Sequence, residues 1–212
     1  MNVIQQRRTV LLFGIVFLYL SVVVAQATDR LPGEYEVIKG EPSLHTPGKV
    51  LFLEFADFYC PHCHLFEKVV TSKLTKEFGE RLEVRLIGFP VIRGKLPTAF
   101  EMYEQARTMG KGPEMKSVLF RTIHKKQIHV LDRGLRSLLL REVGLDAKTF
   151  EDGLASGEPY KALEQGIAWG LRVQVKHTPT VVLDGNLRVS NLDIDNLRTV
   201  INGILEKDKK GS

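Results

Sequence analysis

The chain has 212 residues, 43% of them hydrophobic and 26% charged, which is the composition of an ordinary globular protein. A chain of this length can bury a core without disulfide or metal staples, and it suits one domain with or without a sizeable insertion. The formal net charge is +5, with basic residues scattered among acidic ones, and this pattern argues against nucleic acid as a partner. The chain has two cysteines, which excludes an iron–sulfur cluster and a four-cysteine zinc site.

The N-terminal segment has the three parts of an export signal. Arg7 and Arg8 form a positive start, residues 10–25 are apolar apart from one serine, and Ala25-Gln26-Ala27 supplies a small-x-small cleavage pattern. An uncleaved membrane anchor is the alternative, but this apolar run is shorter than the roughly 20 residues that span a bilayer. We therefore expect residues 1–27 to be a cleaved signal peptide, with the body of the protein outside the cytoplasm, where paired thiols can be oxidised.

The next part of the chain predicts a strand–helix–strand unit. A short leading strand fits residues 33–40, and residues 49–58 form a nearly continuous apolar run, typical of a strand buried on both faces. A second strand is predicted at residues 82–91, which makes the unit a parallel βαβ crossover. Between the strands, apolar residues repeat at helical spacing up to Gly79: Leu65, Phe66, Val69, Val70, Leu74 and Phe78.

Residues 96–171 change to a helical period and predict a block of five helices. Pro97 and Pro113 suit the first turns of two of them, and Asp132 and Asp146 can cap two more. The fifth helix is predicted at residues 160–171, where small side chains permit close packing: Ala162, Gly166 and Gly170.

Strand signals return after the helical block. Residues 180–190, "TVVLDGNLRVS", predict a hairpin around Asp184-Gly185-Asn186, and a last helix begins near Asp193 or Asp195. Strands on both sides of the helical block predict one mixed sheet of an α/β protein, flanked by helices and interrupted in sequence by an all-helical insertion.

The stretch Cys60-Pro61-His62-Cys63-His64 fits three kinds of site. CxxCH is the attachment signature of a c-type haem, cysteine and histidine clusters bind zinc, and CxxC at the start of a helix is a thiol redox centre. A zinc site using all four side chains would be strained, because they are so close in sequence. The strand that leads directly into the motif favours redox chemistry, with no cofactor and no metal.

In the redox interpretation, the two sulfurs have different roles. The predicted strand delivers Cys60 to the first turn of a helix, and Pro61 suits the first helical position. The free N–H groups and the positive end of the helix dipole stabilise a thiolate at Cys60, and a protonated His62 would add to this. Cys63 lies one turn further along the helix. We therefore expect an exposed attacking sulfur at Cys60 and a sheltered resolving sulfur at Cys63.

Residues 53–63, "LEFADFYCPHC", resemble the active-site region of the DsbA family, exported thiol oxidases with a thioredoxin fold. Residues 177–185, "HTPTVVLDG", resemble the family's loop in which a cis-proline faces the active site. Pro179 follows Cys60 by 119 residues, and the helical block accounts for this separation. The resemblance extends from about Tyr35 to the last helix. It implies a thioredoxin-like domain in two parts, residues 28–95 and 172–212, with an inserted helical subdomain at residues 96–171.

The resemblance also implies roles for individual residues. Cys60 would be the nucleophile, Cys63 its partner, and His62 the residue that makes the disulfide oxidising. Pro179 would be cis, which leaves the backbone of Thr178 free to pair with an extended substrate. Glu54 matches a carboxylate buried beneath the disulfide, where a raised pKa would let it exchange a proton with Cys63. The alternative for Glu54 is an edge residue that faces water.

The implied function is a periplasmic, monomeric oxidase that introduces disulfides into newly translocated proteins. Its partners would be cysteine-containing exported proteins and a DsbB-like, quinone-linked membrane protein. The alternatives are an isomerase or reductase of the same fold and, outside this class, a c-type haem protein. The roles of Asp57 and His64 stay open, and four further histidines are expected at the surface: His45, His124, His129 and His177.

Overall fold

The predicted order of strands and helices is present in the computed structural model, which describes residues 30–211. The proposed signal peptide and its cleavage point lie outside the described residues. The strands are β1 (Tyr35–Val37), β2 (Val50–Ala56), β3 (Leu82–Gly88), β4 (Thr180–Leu183) and β5 (Leu187–Val189). The helices are α1 (Pro61–Phe66), α2 (Ser72–Phe78), α3 (Thr98–Thr108), α4 (Gly112–Phe120), α5 (Arg133–Val143), α6 (Ala147–Ala155), α7 (Glu158–Arg172) and α8 (Ile194–Gly211).

The strands form one mixed sheet in the order β1-β5-β4-β2-β3. Strands β2 and β3 are parallel, with Glu54 opposite Leu86, and this confirms the predicted βαβ unit. Strand β4 runs antiparallel to β2 on its other side, so that Thr180 lies opposite Phe55. This pairing brings the loop before β4 to the end of the sheet at which β2 delivers Cys60.

The helices α3 to α7 all lie between β3 and β4 in sequence, as predicted. Asp132 caps α5 by accepting a hydrogen bond from the Leu135 amide at 2.8 Å, and Asp146 caps α6 through the Thr149 amide at 2.8 Å. Such caps satisfy amide groups that a helix leaves without partners at its start. These helix starts are local features, which explains why the sequence predicts them well.

Two glycines let α7 lie directly against the sheet. A Cβ atom at Gly166 would come within 2.9 Å of the Ile87 side chain, and one at Gly170 within 2.5 Å of the Phe89 ring. Both contacts are too close for any larger residue without a shift of the neighbour. The predicted close packing of the fifth helix is therefore confirmed, and it fixes the insertion onto β3.

The helix after Cys60 differs from the prediction in which positions it buries. A π-helical turn (Glu67–Thr71) joins α1 to α2, and the buried apolar residues recur at every fourth position: Phe66, Val70, Leu74 and Phe78. In a regular helix, residues spaced four apart shift gradually around the helix axis. The wider π-helical turn offsets this shift and keeps the buried residues on one face. Leu65 and Val69, which the sequence analysis counted among the apolar residues at helical spacing, are 55% and 38% exposed because they lie outside this stripe.

Candidate active site

Strand β2 delivers Cys60 to the start of α1, as the sequence predicts. Cys60 has an extended backbone (φ −82°, ψ 118°) and immediately precedes Pro61, the first residue of the helix. Its amide donates to the Asp57 carbonyl at 3.0 Å, and its carbonyl accepts from the His64 amide at 3.2 Å. The Cys60 sulfur is thereby held at the positive end of the helix, where an anion is stabilised.

Both cysteines are free thiols, and both are buried. Cys63 is fully buried, as expected, and burial raises the pKa of its thiol above the usual range despite the nearby Asp57 amide and Thr178 side chain, which favour the thiolate. The expectation of an exposed Cys60 is wrong, since this residue is 5% exposed. Its sulfur lies 3.7 Å from the carbonyl oxygen of Thr178, so the loop before β4 covers it.

That covering loop contains the predicted proline. The Thr178–Pro179 peptide bond is cis, which confirms the conformation expected from the resemblance. Thr178 is 9% exposed, and its carbonyl faces the Cys60 sulfur. The structure therefore brings Cys60, Cys63, Thr178 and Pro179 together at one end of the sheet.

Glu54 is a fully buried carboxylate within β2, so it is not an edge residue. Its Oε2 accepts a hydrogen bond from the Thr71 hydroxyl at 3.0 Å, whereas Oε1 has no hydrogen-bond partner among residues 30–211. Burial raises the pKa of Glu54 to about 7, with the nearby Lys116 ammonium opposing the shift. A carboxyl group of this kind can hold or release a proton near neutral pH.

An ion pair adjoins this buried carboxyl. Lys116 on α4 donates to Glu67 Oε2 at 2.7 Å, and both side chains are largely buried. The Glu67 carboxylate favours the protonated form of Glu54, while Lys116 favours the charged form. The inserted helical block thus supplies a cation next to the buried Glu54 carboxyl, and sequence reasoning missed it because nothing near Lys116 in the chain marks it.

Asp57 has a structural environment that the sequence left open. The residue is fully buried, and its Oδ1 accepts from the Tyr59 amide at 2.8 Å. Its Oδ2 accepts from the amides of Val91 and Ile92, each at 2.8 Å. The Asp57 amide in turn lies 3.5 Å from the Cys63 sulfur as a donor. Asp57 therefore ties the loop before Cys60 to the loop after β3.

The histidines differ in their surroundings. His62 is exposed, whereas the rings of His64 and His124 stack with centres 4.9 Å apart and planes at 3°. The Nε2 atom of His124 is also 2.8 Å from the Phe58 carbonyl oxygen, and burial lowers the pKa of both stacked rings.

The expectation that His124 is a surface residue is therefore wrong, because the turn after α4 places it against the active-site loop. It is also wrong for His45, which is partly buried between two aspartates at the other end of the sheet. His129 and His177 are exposed, as expected.

The two thiols lie three residues apart at the start of a helix, and the cis-proline loop faces them at the same end of a thioredoxin-like sheet. This arrangement defines a dithiol–disulfide centre. The family model for the DSBA-like thioredoxin domain matches residues 52–202. The DsbA proteins of Burkholderia cepacia and Yersinia pestis, both named thiol:disulfide interchange proteins, are 25% and 26% identical over 173 and 191 residues. These alignments cover 80% and 87% of this chain and 81% and 86% of the two relatives.

Solved structures agree on the fold. The DsbA oxidoreductase of Xylella fastidiosa superposes with a TM-score of 0.68 at 20% identity, covering 85% of this chain and all of its own. Reduced DsbA1 of Neisseria meningitidis has a TM-score of 0.64 at 21% identity, covering 87% and 99%. The chain belongs to the DSBA-like thioredoxin domain family and is a thiol:disulfide oxidoreductase.

Proposed function

We propose that the Cys60–Cys63 pair donates its disulfide to reduced proteins outside the cytoplasm. The observation that carries this proposal is the unequal placement of the two sulfurs. Cys60 lies at the positive start of α1 beside the Thr178 carbonyl, whereas Cys63 is fully buried, and burial raises the pKa of its thiol. This arrangement favours Cys60 as the sulfur that is attacked and later leaves.

The exchange proceeds in two balanced steps. A substrate thiolate attacks the Cys60 sulfur of the oxidised pair, and the Cys60–Cys63 bond breaks with its electron pair on Cys63. A second substrate thiolate then attacks the substrate sulfur of the mixed disulfide and releases Cys60 as a thiolate. The substrate gains a disulfide, and the enzyme is left with two reduced cysteines.

Glu54 is the proposed proton donor to Cys63. Because burial raises the pKa of the Cys63 thiol, the departing sulfur takes up a proton as it leaves. A Glu54 carboxyl with a pKa of about 7 is protonated often enough at neutral pH to supply it. His62, exposed at the start of α1, would stabilise the reduced state when it is protonated and so make the disulfide more oxidising.

The substrates are proposed to be exported proteins with free cysteines, bound along the backbone of Thr178 beside Pro179. Oxidising Cys60 and Cys63 again requires an electron acceptor, and we propose a DsbB-like membrane protein linked to a quinone. A periplasmic location suits both partners and the signal-like N-terminus. Within residues 30–211, none of the helices has the length and apolar character needed to cross a bilayer.

Substitution of each cysteine in turn tests the division of labour. Cys60→Ser is expected to abolish oxidation of a reduced substrate protein, since no sulfur is left to be attacked. Cys63→Ser, activated as a mixed disulfide on Cys60, should transfer that disulfide but complete no catalytic cycle. The measurement is quenched alkylation of substrate thiols over time, and full activity of either variant would contradict the proposal.

The direction of electron flow is tested by equilibrating the purified protein with glutathione buffers. Helix-start stabilisation of the Cys60 thiolate predicts a disulfide markedly more oxidising than that of thioredoxin, whose potential is about −270 mV. A potential as reducing as this would favour a reductase. His62→Ala should shift the measured potential toward the reducing side without altering the fold.

A further inference from the structure

The loop between β3 and α3 borders the active site through Tyr59, the residue before Cys60. The Tyr59 hydroxyl donates to the Leu96 carbonyl at 3.4 Å, and the Lys95 ammonium lies 5.5 Å from the centre of the Tyr59 ring. The exposed side chains of this loop are aliphatic or basic, and none is acidic: Val91, Ile92, Arg93, Lys95 and Leu96. The redox chemistry gives no reason for this composition.

The loop after α4 has the same composition and reaches the same tyrosine. The His129 ring lies 6.1 Å from the Tyr59 ring, centre to centre. The exposed side chains of residues 125–130 again include aliphatic and basic residues and no acid: Lys125, Lys126, Ile128, His129 and Val130. Two loops that are far apart in sequence therefore present the same chemistry beside Cys60.

The four lysine and arginine side chains on these loops, Arg93, Lys95, Lys125 and Lys126, lack ion-pair partners. For none of them does the described part of the chain place a carboxylate within 4 Å. Some other cations of the protein are paired, for example Arg136 with Glu151 at 2.8 Å. The positive charge of the four loop side chains is consequently available to an approaching anion.

A cleft of about 270 Å³ lies beside the first loop. Lys95 lies at its border. The walls are mostly apolar and include Tyr59, Ile92, Phe100, Leu163 and Ile167. The volume is below the roughly 300–1,000 Å³ of typical small-molecule sites, so it suits an aliphatic side chain of a polypeptide. Two carboxylates also line the cleft, but Asp57 is occupied by three amides, which leaves Glu164 as the exposed acid.

We infer that this cleft and the two loops select polypeptide segments in which the reactive cysteine is flanked by acidic residues and an aliphatic residue. The aliphatic side chain occupies the cleft next to Tyr59, and the acidic side chains face the four free cations. The inference rests on the proposed function, because the segment must bring its cysteine to Cys60. A cleft with one basic edge favours a peptide side chain over a flat lipid surface.

The test uses three dithiol peptides of equal length, each with one leucine, in which the residues flanking the cysteines are Glu, Ser or Lys. The second-order rate of oxidation by the oxidised wild-type protein is measured by quenched alkylation. At low ionic strength we expect the Glu peptide to react about tenfold faster than the Lys peptide, with the Ser peptide between them. In 0.5 M NaCl the difference should nearly vanish. Replacing the leucine by serine should slow the Glu peptide several-fold.

Charge reversal identifies the surface responsible. The double variant Arg93→Glu with Lys95→Glu should lose the preference for the Glu peptide, because two negative and two positive side chains then remain on the two loops. The matched control is Lys209→Glu with Lys210→Glu, which makes the same change of charge at the end of α8. That end lies near Gly48, whose amide donates to Asp208, and β2 separates it from Cys60 by about 20 Å. The control should keep the wild-type preference.

The outcomes separate the inference from the proposed function. If the wild type fails to oxidise even the Ser peptide, the proposed function is wrong. If it oxidises the Ser peptide but treats the Glu and Lys peptides equally, the inference alone is overturned. Equal peptide rates together with co-sedimentation of the protein with phosphatidylglycerol vesicles would assign the basic loops to a lipid surface instead, which also overturns it.

Discussion

The two ends of β2 both bury carboxylates, but they differ in how completely those carboxylates are hydrogen-bonded. Near the start of β2, Asp184 accepts from the Leu51 amide at 2.8 Å and from His45 Nδ1 at 2.8 Å. The other ring nitrogen of His45 bonds to Asp208 at 2.7 Å, and Asp208 also accepts from the Gly48 amide at 2.8 Å. This end of the sheet is a closed network.

Toward the cysteines, the arrangement is incomplete. Glu54 has one oxygen bonded to Thr71 and one without a partner in the described part of the protein. A buried polar atom that lacks a partner is costly, and a catalytic role is one reason for a protein to keep such an atom. The difference between the two ends separates a carboxylate that holds the fold together from one that is able to change its protonation state.

The largest effect is expected from Glu54→Gln, which removes the proton exchange but keeps an acceptor for Thr71. We expect substrate oxidation to slow by about 10²-fold, the lower end of the range for general acid–base catalysis. The measurement is the rate of the first step, the formation of the mixed disulfide between substrate and Cys60, at pH 7. Glu83→Gln, which changes an exposed carboxylate on β3, is the matched control and should react like the wild type.

The same variant should change the pH dependence of stability. Burial raises the pKa of Glu54 from 4.5 to about 7, so the folded state binds the proton more tightly than the unfolded state. The stability contributed by this proton is fully present below pH 4.5 and is lost as pH rises through 7, by at most about 3 kcal/mol. Urea unfolding of Glu54→Gln should lack this loss. An unchanged pH profile would show that the pKa of Glu54 is not raised in the folded protein.

A smaller loss of stability is expected from Asp57→Asn. The carboxylate accepts hydrogen bonds from three backbone amides, and an asparagine has one acceptor oxygen and an NH₂ group that would face an amide donor. We expect destabilisation of about 2 kcal/mol, measured as a shift of the urea midpoint with an unchanged slope. Asp152→Asn, at an exposed position on α6, should have almost no effect. Equal effects of the two variants would refute the anchoring role of Asp57.

The smallest effect is expected at the closed network, from His45→Gln. Burial lowers the pKa of His45, but hydrogen bonds to Asp208 and Asp184 outweigh it and leave the pKa raised. The resulting stability is fully present below pH 6.5 and is lost as pH rises through the folded pKa. Because the ring is partly exposed, we expect about 1 kcal/mol or less.

The contribution of Glu54 to stability is lost over an overlapping range of pH. The effect of His45→Gln is therefore best measured in a Glu54→Gln background. There, the difference in unfolding free energy between the proteins with and without His45→Gln should shrink between pH 6 and pH 8. A difference that stays constant with pH would mean that His45 acts through its shape alone.

The parts of the fold that could be predicted from sequence depend on neighbouring residues. Asp132 and Asp146 cap their helices through amides three residues away, and β4 and β5 form the predicted hairpin. The boundaries at residues 95 and 171 stay a prediction, although the order of the elements is as expected. The exposed positions of Leu65 and Val69 were missed because a π-helical turn has no clear sequence signal.

The candidate site was predicted as far as its residues resemble known motifs. The parts that sequence reasoning missed depend on contacts between distant segments. Cys60 is covered by Thr178, and Lys116 reaches Glu67 across 49 residues. His124 stacks on His64 because a turn of the inserted block packs against the active-site helix. A single sequence contains no periodicity or spacing that reports such contacts.

The pairing of Lys116 with Glu67 has a consequence for protein engineering. A shortened protein that joined β3 directly to β4 would keep every strand and both cysteines, but it would lose the cation next to Glu54 and Glu67. Glu54 and Glu67 would then repel each other with no neighbouring cation to offset the repulsion. A minimal version of this enzyme therefore needs a compensating substitution at Glu67, such as glutamine, before the helical block is removed.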